Sequence, residues 1–134
     1  MKPNDRDKGL LEDMLKACDE ATGFIGELTE EEFAGNRLLC LAIERCLELV
    51  GEAAGRVSKS FQDAHPGIPW QDIRGQRNIL AHDYGNIEYE QLYKTVTQDA
   101  PILAATLRQI LSDNPGVRES RQRYGMRPLT SSPG

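Results

Sequence analysis

The stretch RNILAHDYG, residues 77–85, combines residue types that can act together on a phosphodiester bond. A histidine has an unperturbed pKa of about 6.5, so His82 can take or give a proton near neutral pH. An arginine is always charged, so Arg77 can bind two phosphate oxygens at once and stabilise the charge of a transition state. An RNA strand brings its own nucleophile, the ribose 2′-hydroxyl. The chemistry that fits these residue types is therefore cleavage of RNA.

Helical spacing places these side chains on two faces. At about 100° per residue, Arg77 and Tyr84 share one face, whereas Asn78 and His82 share another. Arg77 and His82 of one helix are then roughly 140° apart. Two copies related by a two-fold axis would bring their arginines and histidines into one cleft. The spacing is compatible with a site that a dimer completes, but it does not require one.

Each of these residues also has an ordinary structural explanation. A histidine near a helix end is commonly a charge partner for the helix C-terminus, and an arginine is commonly a surface ion-pair partner. A tyrosine at the edge of a core usually keeps its hydroxyl in water. Outside the motif, His65 precedes Pro66 and fits a loop, and Trp70 fits a core anchor. Spacing alone therefore indicates only a helical domain with a candidate polar site.

The cysteines and histidines do not form a metal-binding pattern. Cys18, Cys40 and Cys46 form no C-x-x-C pair and fall in apolar helical patterns, so we interpret them as small buried hydrophobes in a reducing compartment. The two histidines, His65 and His82, are far apart and neither has ligand spacing around it. The sequence predicts no metal site and no cofactor.

The size and composition are those of one globular domain. The chain has 134 residues, of which 39% are hydrophobic and 28% charged. No apolar run reaches the roughly 20 residues that span a bilayer. The N-terminal MKPNDRDKGL has no apolar signal core. We expect a cytoplasmic protein.

Charge is unevenly distributed along the chain. The formal net charge is −5, but residues 114–134 carry Arg118, Arg121, Arg123 and Arg127 against Glu119, a net +3. Residues 1–113 then carry −8. A nucleic-acid partner is usually accompanied by a basic balance, which this body lacks. An anionic ligand would meet the C-terminal segment or a local pocket.

Apolar residues recur at three- and four-residue steps and predict an all-α fold. We predict helices over residues 8–28, 29–63 and 69–84, and a fourth from residue 86 that Pro101 kinks or divides. These would pack as a four- to five-helix up-and-down bundle over residues 1–113. Residues 114–134, which contain arginines and prolines, are predicted to be a poorly ordered tail.

The long second helix carries the most apolar pattern. Thr29 and Glu32 form a capping box at its start. Gly51 and Gly55 lie inside it and predict close approach of another helix. Its predicted buried face comprises Leu38, Leu41, Ala42, Leu49, Ala53 and Val57, widened by Leu39, Ile43, Cys46 and Val50. A helix this apolar is predicted to be buried on two sides.

The pattern R-x-x-x-x-H-x-Y, on a late helix of a small all-α chain, resembles the HEPN superfamily. It looks most like the HepT-like toxins, which are encoded beside a minimal nucleotidyltransferase (MNT) antitoxin. ELVGEAAGRVS (48–58), HPGIPW (65–70) and IRGQRNILAHDYG (73–85) occur in the order that this family shows, and DAPIL (99–103) is also similar. The resemblance covers roughly residues 8–113. Gln76 departs from it, because family members often carry a hydrophobic residue there.

The resemblance implies a helical bundle that forms a homodimer, with the motif helices lining a cleft between subunits. It implies metal-independent endoribonuclease activity on tRNA or mRNA, with Arg77 and His82 as the catalytic pair and Asn78 in support. Tyr84 matches the tyrosine that the antitoxin adenylylates. Attached AMP would add negative charge and bulk beside the catalytic pair and so block an anionic substrate.

Three glutamates of the long helix, Glu44, Glu48 and Glu52, are candidates to orient Arg77 or His82 across the bundle. The simpler interpretation of the three is that they form solvated or interhelical ion pairs.

Two other functions stay open from the sequence. The first is a non-catalytic module that binds a nucleotide or RNA, or serves as a docking surface for the transferase. The acidic body, at −8 over residues 1–113, favours it. The second is a purely structural helical dimer in which His82 and Tyr84 only fill the interface.

Overall fold

The structure is a computed structural model that describes residues 2–75 and 89–113. In these ranges every regular element is helical, and no strand occurs, which confirms the all-α class. The elements are α1 (Asp5–Ile25), α2 (Glu30–Ala34), α3 (Arg37–Arg56), α4 (Lys59–Ala64), the helical residues 70–75 (α5), α6 (Tyr89–Lys94), a π-helical turn (Thr95–Asp99) and α7 (Ala100–Ser112).

The first helix begins and ends three residues earlier than predicted. Asn4 caps it, because its side-chain oxygen accepts a hydrogen bond from the Asp7 N–H at 2.7 Å. Gly26, with φ of 53°, ends it, and a residue with a Cβ would be strained there. The apolar periodicity of the sequence predicts a buried stripe of Leu11, Met14, Leu15, Cys18, Thr22, Ile25 and Leu28. Five of these residues are buried, whereas Thr22 is exposed and Leu28 lies beyond the helix and is half-buried.

The prediction of one helix over residues 29–63 was wrong, since this stretch forms α2, α3 and α4. The predicted capping box of Thr29 and Glu32 is confirmed at the start of α2. That helix ends at Gly35, and Asn36 caps α3 by accepting from the Leu39 N–H at 3.1 Å. The Asn36 side chain supplies a hydrogen-bond partner for one of the backbone N–H groups at the start of α3. A new helix can therefore begin here without leaving that N–H group unpaired.

The second break separates α3 from α4. Ser58 caps α4 with its hydroxyl, which accepts from the Phe61 N–H at 3.3 Å. The buried carboxylate of Asp7 accepts from both the Ser58 N–H, at 2.9 Å, and the Ser58 hydroxyl, at 2.6 Å. A tertiary contact with α1 therefore stabilises this corner.

The predicted buried face of α3 was also wrong in part. Leu38 is 79% exposed and Leu41 44% exposed. The residues buried along α3 are Cys40, Ile43, Cys46, Leu47, Val50, Gly51, Ala53 and Ala54. Both sets recur at helical spacing, so periodicity alone does not say which set faces the neighbouring helices. The side that carries Leu38 and Leu41 is open in the described chain.

The core consists of two clusters stacked along the bundle. The first cluster, called the α4 half, contains residues from Leu11–Cys18 of α1, the C-terminal half of α3, α4, residues 68–70 and α7. The second cluster, called the α2 half, contains residues from the end of α1, Phe33 of α2, the N-terminal half of α3, and Leu92 and Val96. The first part of α1 packs against the end of α3 and against α7, whereas the end of α1 packs against the start of α3 and against Leu92 and Val96. Helix α3 and the α6–α7 stretch therefore each run antiparallel to α1.

The predicted irregularity near Pro101 is confirmed, but it lies just before the proline. The residues Thr95–Asp99 form a π-helical turn, in which the Ala100 N–H donates to the Thr95 carbonyl. Pro101 then occupies the first turn of α7. A proline there needs no N–H and its fixed φ suits a helix start, so the chain continues as α7 instead of ending.

Candidate functional site

The four residues predicted to form the site, Arg77, Asn78, His82 and Tyr84, lie outside the described residues. The same holds for the predicted end of the third helix at residue 84 and the predicted start of the fourth at residue 86. The structure instead describes the two segments that hold the motif in place, residues 65–75 before it and α6 after it.

Trp70 anchors the segment that leads into the motif. Its ring is buried, and its indole N–H donates to the His65 carbonyl at 3.0 Å. Phe61 of α4 meets it edge-on, with ring centroids 6.3 Å apart. The prediction of a core anchor is confirmed. His65 follows α4, as predicted for a loop residue, and stacks on Phe61 at 4.2 Å.

The last described residues before the motif rest on the C-terminal half of α3. Ile73 packs against the core of the α4 half. The Arg74 side chain lies 3.6 Å from the position that a Cβ would take on Gly55. This is an ordinary van der Waals distance, so a Cβ would fit there, and the contact does not by itself confirm the close approach predicted from Gly55. Arg74 was not identified from the sequence.

The segment that follows the motif is held at the other half of the bundle. The Tyr89 and Tyr93 rings lie 6.3 and 5.9 Å from the ring of the fully buried Phe33. The Tyr93 hydroxyl donates to the Leu28 carbonyl at 2.6 Å. The chain therefore enters the motif region from the α4 half and leaves it in the α2 half.

A largely apolar cleft of about 270 Å³ adjoins the segment that precedes the motif. Its polar lining includes Asp72, Asp99 and Thr106, beside apolar residues of α1, α3 and α7. The π-helical turn forms part of its wall through Thr95, whose hydroxyl donates to the Gln91 carbonyl at 2.9 Å. The polar groups of this lining are few compared with its apolar surface, so it is mainly a packing surface.

The glutamates of α3 have mixed roles. Glu48 pairs with Arg45 of its own helix at 3.3 Å, which supports the ion-pair interpretation for this residue. Burial raises the pKa of Glu44, against the lowering effect of Arg37, and the Glu48 charge raises it further. Glu52 is exposed. A contact of Glu44 or Glu52 with Arg77 or His82 stays a prediction.

The three cysteines are free and buried, as predicted. Burial raises the pKa of the Cys18 thiol to about 12 and also raises those of Cys40 and Cys46. The Cys40 thiol donates to the Phe33 carbonyl at 3.3 Å. Thiols held in this protonated form are poor nucleophiles, so these three act as core residues.

Within residues 2–75 and 89–113, no three His, Cys, Asp or Glu side chains are grouped as metal ligands. The helices described there are also too short or too polar to cross a membrane.

The comparison with protein families identifies the chain. Residues 14–110 match the family described as ribonuclease HepT-like, and the matched span contains RNILAHDYG. The chain belongs to the HepT-like ribonuclease family. The HepT-like match ends before residues 114–134.

Curated relatives of this HepT-like chain carry ribonuclease names. "Putative RNase MJ1380" of Methanocaldococcus jannaschii is 35% identical, over 70% of this chain and 86% of the relative. "Putative RNase MJ1216" of the same organism is 30% identical, over 84% of this chain and 93% of the relative. "Probable ribonuclease HepT" of Thermococcus cleftensis is 32% identical, over 77% and 94% respectively. No solved structure is significantly similar to the chain.

Proposed function

We propose that this HepT-like protein is the toxin of a toxin–antitoxin pair and acts as a metal-independent endoribonuclease. Arg77 and His82 would cleave RNA, tRNA or mRNA, in a cleft between the two subunits of a homodimer. The observation that carries the proposal is the R-x-x-x-x-H-x-Y run inside the span that matches the family. The ribonuclease names of the relatives support it.

The proposed chemistry uses the substrate's own hydroxyl. A neutral His82 takes the proton of the ribose 2′-hydroxyl, the 2′-oxygen attacks the phosphorus, and the bond to the 5′-oxygen breaks. A protonated histidine, from the second copy in the cleft, returns a proton to the leaving 5′-oxygen. The products are a 2′,3′-cyclic phosphate and a 5′-hydroxyl end. Arg77 binds the non-bridging phosphate oxygens as their charge builds, and Asn78 supports the pair.

Neutralisation would act on the same motif. The partner is an MNT-type nucleotidyltransferase that transfers AMP from ATP to the Tyr84 hydroxyl, with release of pyrophosphate. The new phosphate places a negative charge two residues from His82, where an RNA phosphate must otherwise bind. Like-charge repulsion and the bulk of the nucleotide would then exclude the substrate.

RNA cleavage in EDTA tests the catalytic proposal. The wild-type protein, confirmed as unmodified by intact mass, is compared with His82→Ala and Arg77→Ala on labelled tRNA and mRNA. We expect His82→Ala to lower the rate by about 10²–10⁴-fold and Arg77→Ala by about 10²–10³-fold. Arg108→Ala is a matched control, because Arg108 pairs with Asp19 across an exposed contact between α7 and α1, and it should keep the wild-type rate.

The contrary outcome is equally clear. If an unmodified, folded dimer cleaves neither RNA, the catalytic proposal fails and the motif belongs to a binding or docking module. Cleavage that EDTA abolishes would contradict metal independence alone.

The modification is tested with the cognate nucleotidyltransferase and ATP. Intact mass should show the addition of AMP to wild-type protein and no addition to Tyr84→Phe. Tyr89→Phe is the matched control, since Tyr89 packs edge-on against Phe33. Addition of AMP to Tyr84→Phe would contradict Tyr84 as the modified residue. Neutralisation without AMP on any of the proteins would keep the partnership but show that the antitoxin does not act by adenylylation.

A further inference from the structure

Three arginines from three different helices meet at the C-terminal end of α3. Arg56 is the last residue of α3 and is exposed. A guanidinium N–H of Arg6, in α1, donates to the Arg56 carbonyl at 3.0 Å. The stem of Arg74, in α5, lies 3.6 Å from the position that a Cβ would take on Gly55. Arg6 and Arg74 therefore lie beside consecutive residues of α3, and we call Arg6, Arg56 and Arg74 the arginine corner.

The arginine corner takes part in no ion pair among the described residues. The ion pairs of this part of the chain join Arg45 to Glu48, Lys59 to Asp63, Lys94 to Glu90 and Arg108 to Asp19. Arg6 donates one N–H to the Arg56 carbonyl and keeps its other guanidinium donors. The guanidinium groups of Arg56 and Arg74 make no hydrogen bond within the described ranges. Their charge is therefore available to an anion.

An open groove of about 710 Å³ begins at the arginine corner. It lies between the end of α3, helix α4 and residues 66–74, and its polar lining includes Lys59, Gln62, Gln71 and Arg74. The Gln62 amide donates to the Val57 carbonyl at 2.8 Å, which holds α4 against the end of α3. The groove is therefore a built feature of the fold, with side-chain donors along it.

This corner is locally basic although the body is acidic. The charged residues that line the groove or contact the corner are Arg6, Arg56, Lys59 and Arg74 against Asp7, Asp63 and Asp72, a net of +1. Residues 1–113 together carry −8. Asp7 is buried on Ser58, and Asp63 is bound to Lys59 at 2.7 Å. The uncompensated charges are thus three arginines and one aspartate, a balance that attracts a polyanion.

The arginine corner is also close to the proposed catalytic residues along the chain. Arg74 precedes Arg77 by three residues, and three residues of chain span at most about 11 Å. Trp70 and Ile73 hold α5 on the core, so Arg74 is fixed to the body. An RNA strand bound at Arg77 would therefore have neighbouring phosphates within reach of Arg74.

We propose that Arg6, Arg56 and Arg74 bind the phosphate backbone of the RNA substrate and guide the strand along the groove beside α4. The proposal rests on the ribonuclease function proposed above. An arginine can donate two parallel hydrogen bonds to one phosphate. Such contacts carry no base information, so the corner would raise affinity for any RNA strand without choosing the bond that is cut.

The test measures RNA binding by the full-length protein. The variant R6Q/R56Q/R74Q is compared with K16Q/R45Q/R108Q, which removes the same charge from exposed positions elsewhere on α1, α3 and α7. The probe is labelled 2′-O-methyl RNA, which lacks the attacking hydroxyl and stays intact, and fluorescence anisotropy gives its affinity over a series of KCl concentrations. Each lost phosphate contact should reduce the slope of log affinity against log salt by about 0.7, so three should reduce it by about 2. The control should keep the wild-type slope.

Two further variants separate charge from folding. R6K/R56K/R74K keeps the charge and should keep the slope. Loss of Arg6 also removes a hydrogen bond at the end of α3, so thermal unfolding of each variant is measured first. If the triple glutamine variant does not fold, R56Q/R74Q keeps that hydrogen bond and should reduce the slope by about 1.4.

Cleavage kinetics separate this proposal from the function on which it rests. The glutamine variant should raise KM and keep kcat, because the three arginines bind substrate and do not contact the reacting atoms. If wild-type protein cleaves RNA and the folded glutamine variant matches it in slope and in KM, the corner proposal is overturned and the ribonuclease stands. If wild-type protein does not cleave RNA, the ribonuclease fails, and a reduced or unchanged slope still supports or overturns RNA binding at the corner.

One other result would overturn the corner proposal. A glutamine variant with unchanged RNA affinity that no longer binds the nucleotidyltransferase would assign the three arginines to a protein partner.

Discussion

A single buried carboxylate, Asp7, ties the start of α1 to the corner between α3 and α4. It is 1% exposed and accepts two hydrogen bonds from Ser58, one from the backbone and one from the hydroxyl. The same serine caps α4. Asp7 therefore helps to position the segment that continues through Trp70 to the motif.

Loss of this carboxylate should destabilise the whole fold. Hydrogen bonds to charged groups contribute about 1.5–3 kcal/mol, and we expect Asp7→Ala to lower the free energy of unfolding by about that amount. Urea denaturation measures it. Asp13→Ala, at an exposed position of the same helix, is the control and should change stability by less than about 0.5 kcal/mol. Equal effects of the two substitutions would show that the Asp7–Ser58 contact contributes nothing.

At the scale of elements, the short helix α2 organises one half of the bundle although it has only 5 residues. Such a helix is too short to be stable by itself. Its capping box satisfies its first N–H groups, and its Phe33 is fully buried against Tyr89 and Tyr93. These tyrosines belong to α6, the first described element after the motif. The aromatic contact therefore fixes where the chain leaves the motif.

Truncation of this aromatic side chain tests the role of α2. Phe33→Ala should cost about 3–5 kcal/mol, because it removes a large buried side chain and leaves a cavity. Phe24→Ala is the matched control, since Phe24 is 47% exposed and the same substitution there should cost well under half as much. Thermal or urea unfolding of both variants gives the comparison, and similar losses would contradict the packing described for α2.

At the scale of the whole molecule, the proposed site depends on two copies of the chain. Ideal helical spacing puts Arg77 and His82 of one copy roughly 140° apart, so one helix does not present them side by side. The proposed cleft gathers them from both subunits. In the described chain, α3 leaves Leu38 and Leu41 on its open side, where its sequence pattern had predicted burial.

Activity should therefore depend on association. We expect the cleavage rate per chain to fall on dilution through the same concentration range in which sedimentation shows the dimer dissociating. Addition of excess His82→Ala protein to the wild type should lower the rate further, because each mixed dimer holds one His82 where the proposed mechanism needs two. A rate per chain that is independent of both concentration and added variant would place a complete site in one subunit.

Local patterns determined much of this protein before its tertiary contacts were known. Apolar periodicity predicted the all-α class and the stripe of α1, and the spacing of Thr29 and Glu32 predicted a capped helix start. Cys18, Cys40 and Cys46 were predicted to be buried from their apolar surroundings, and Trp70 from its size and position. The motif of residues 77–84 indicated the family. Each of these features depends on residues close together in the chain, so the sequence contains its cause.

Only the tertiary structure decided where the long predicted helix breaks and which side of α3 is buried. The break at Ser58 depends on Asp7, which lies 51 residues away in the sequence. The buried side of α3 depends on where α1 packs, and two apolar sets on one helix satisfy the same periodicity. Such choices depend on contacts between distant segments, which helical spacing does not encode. For the same reason the relation of Arg77 to His82 across two subunits stays a prediction of the sequence.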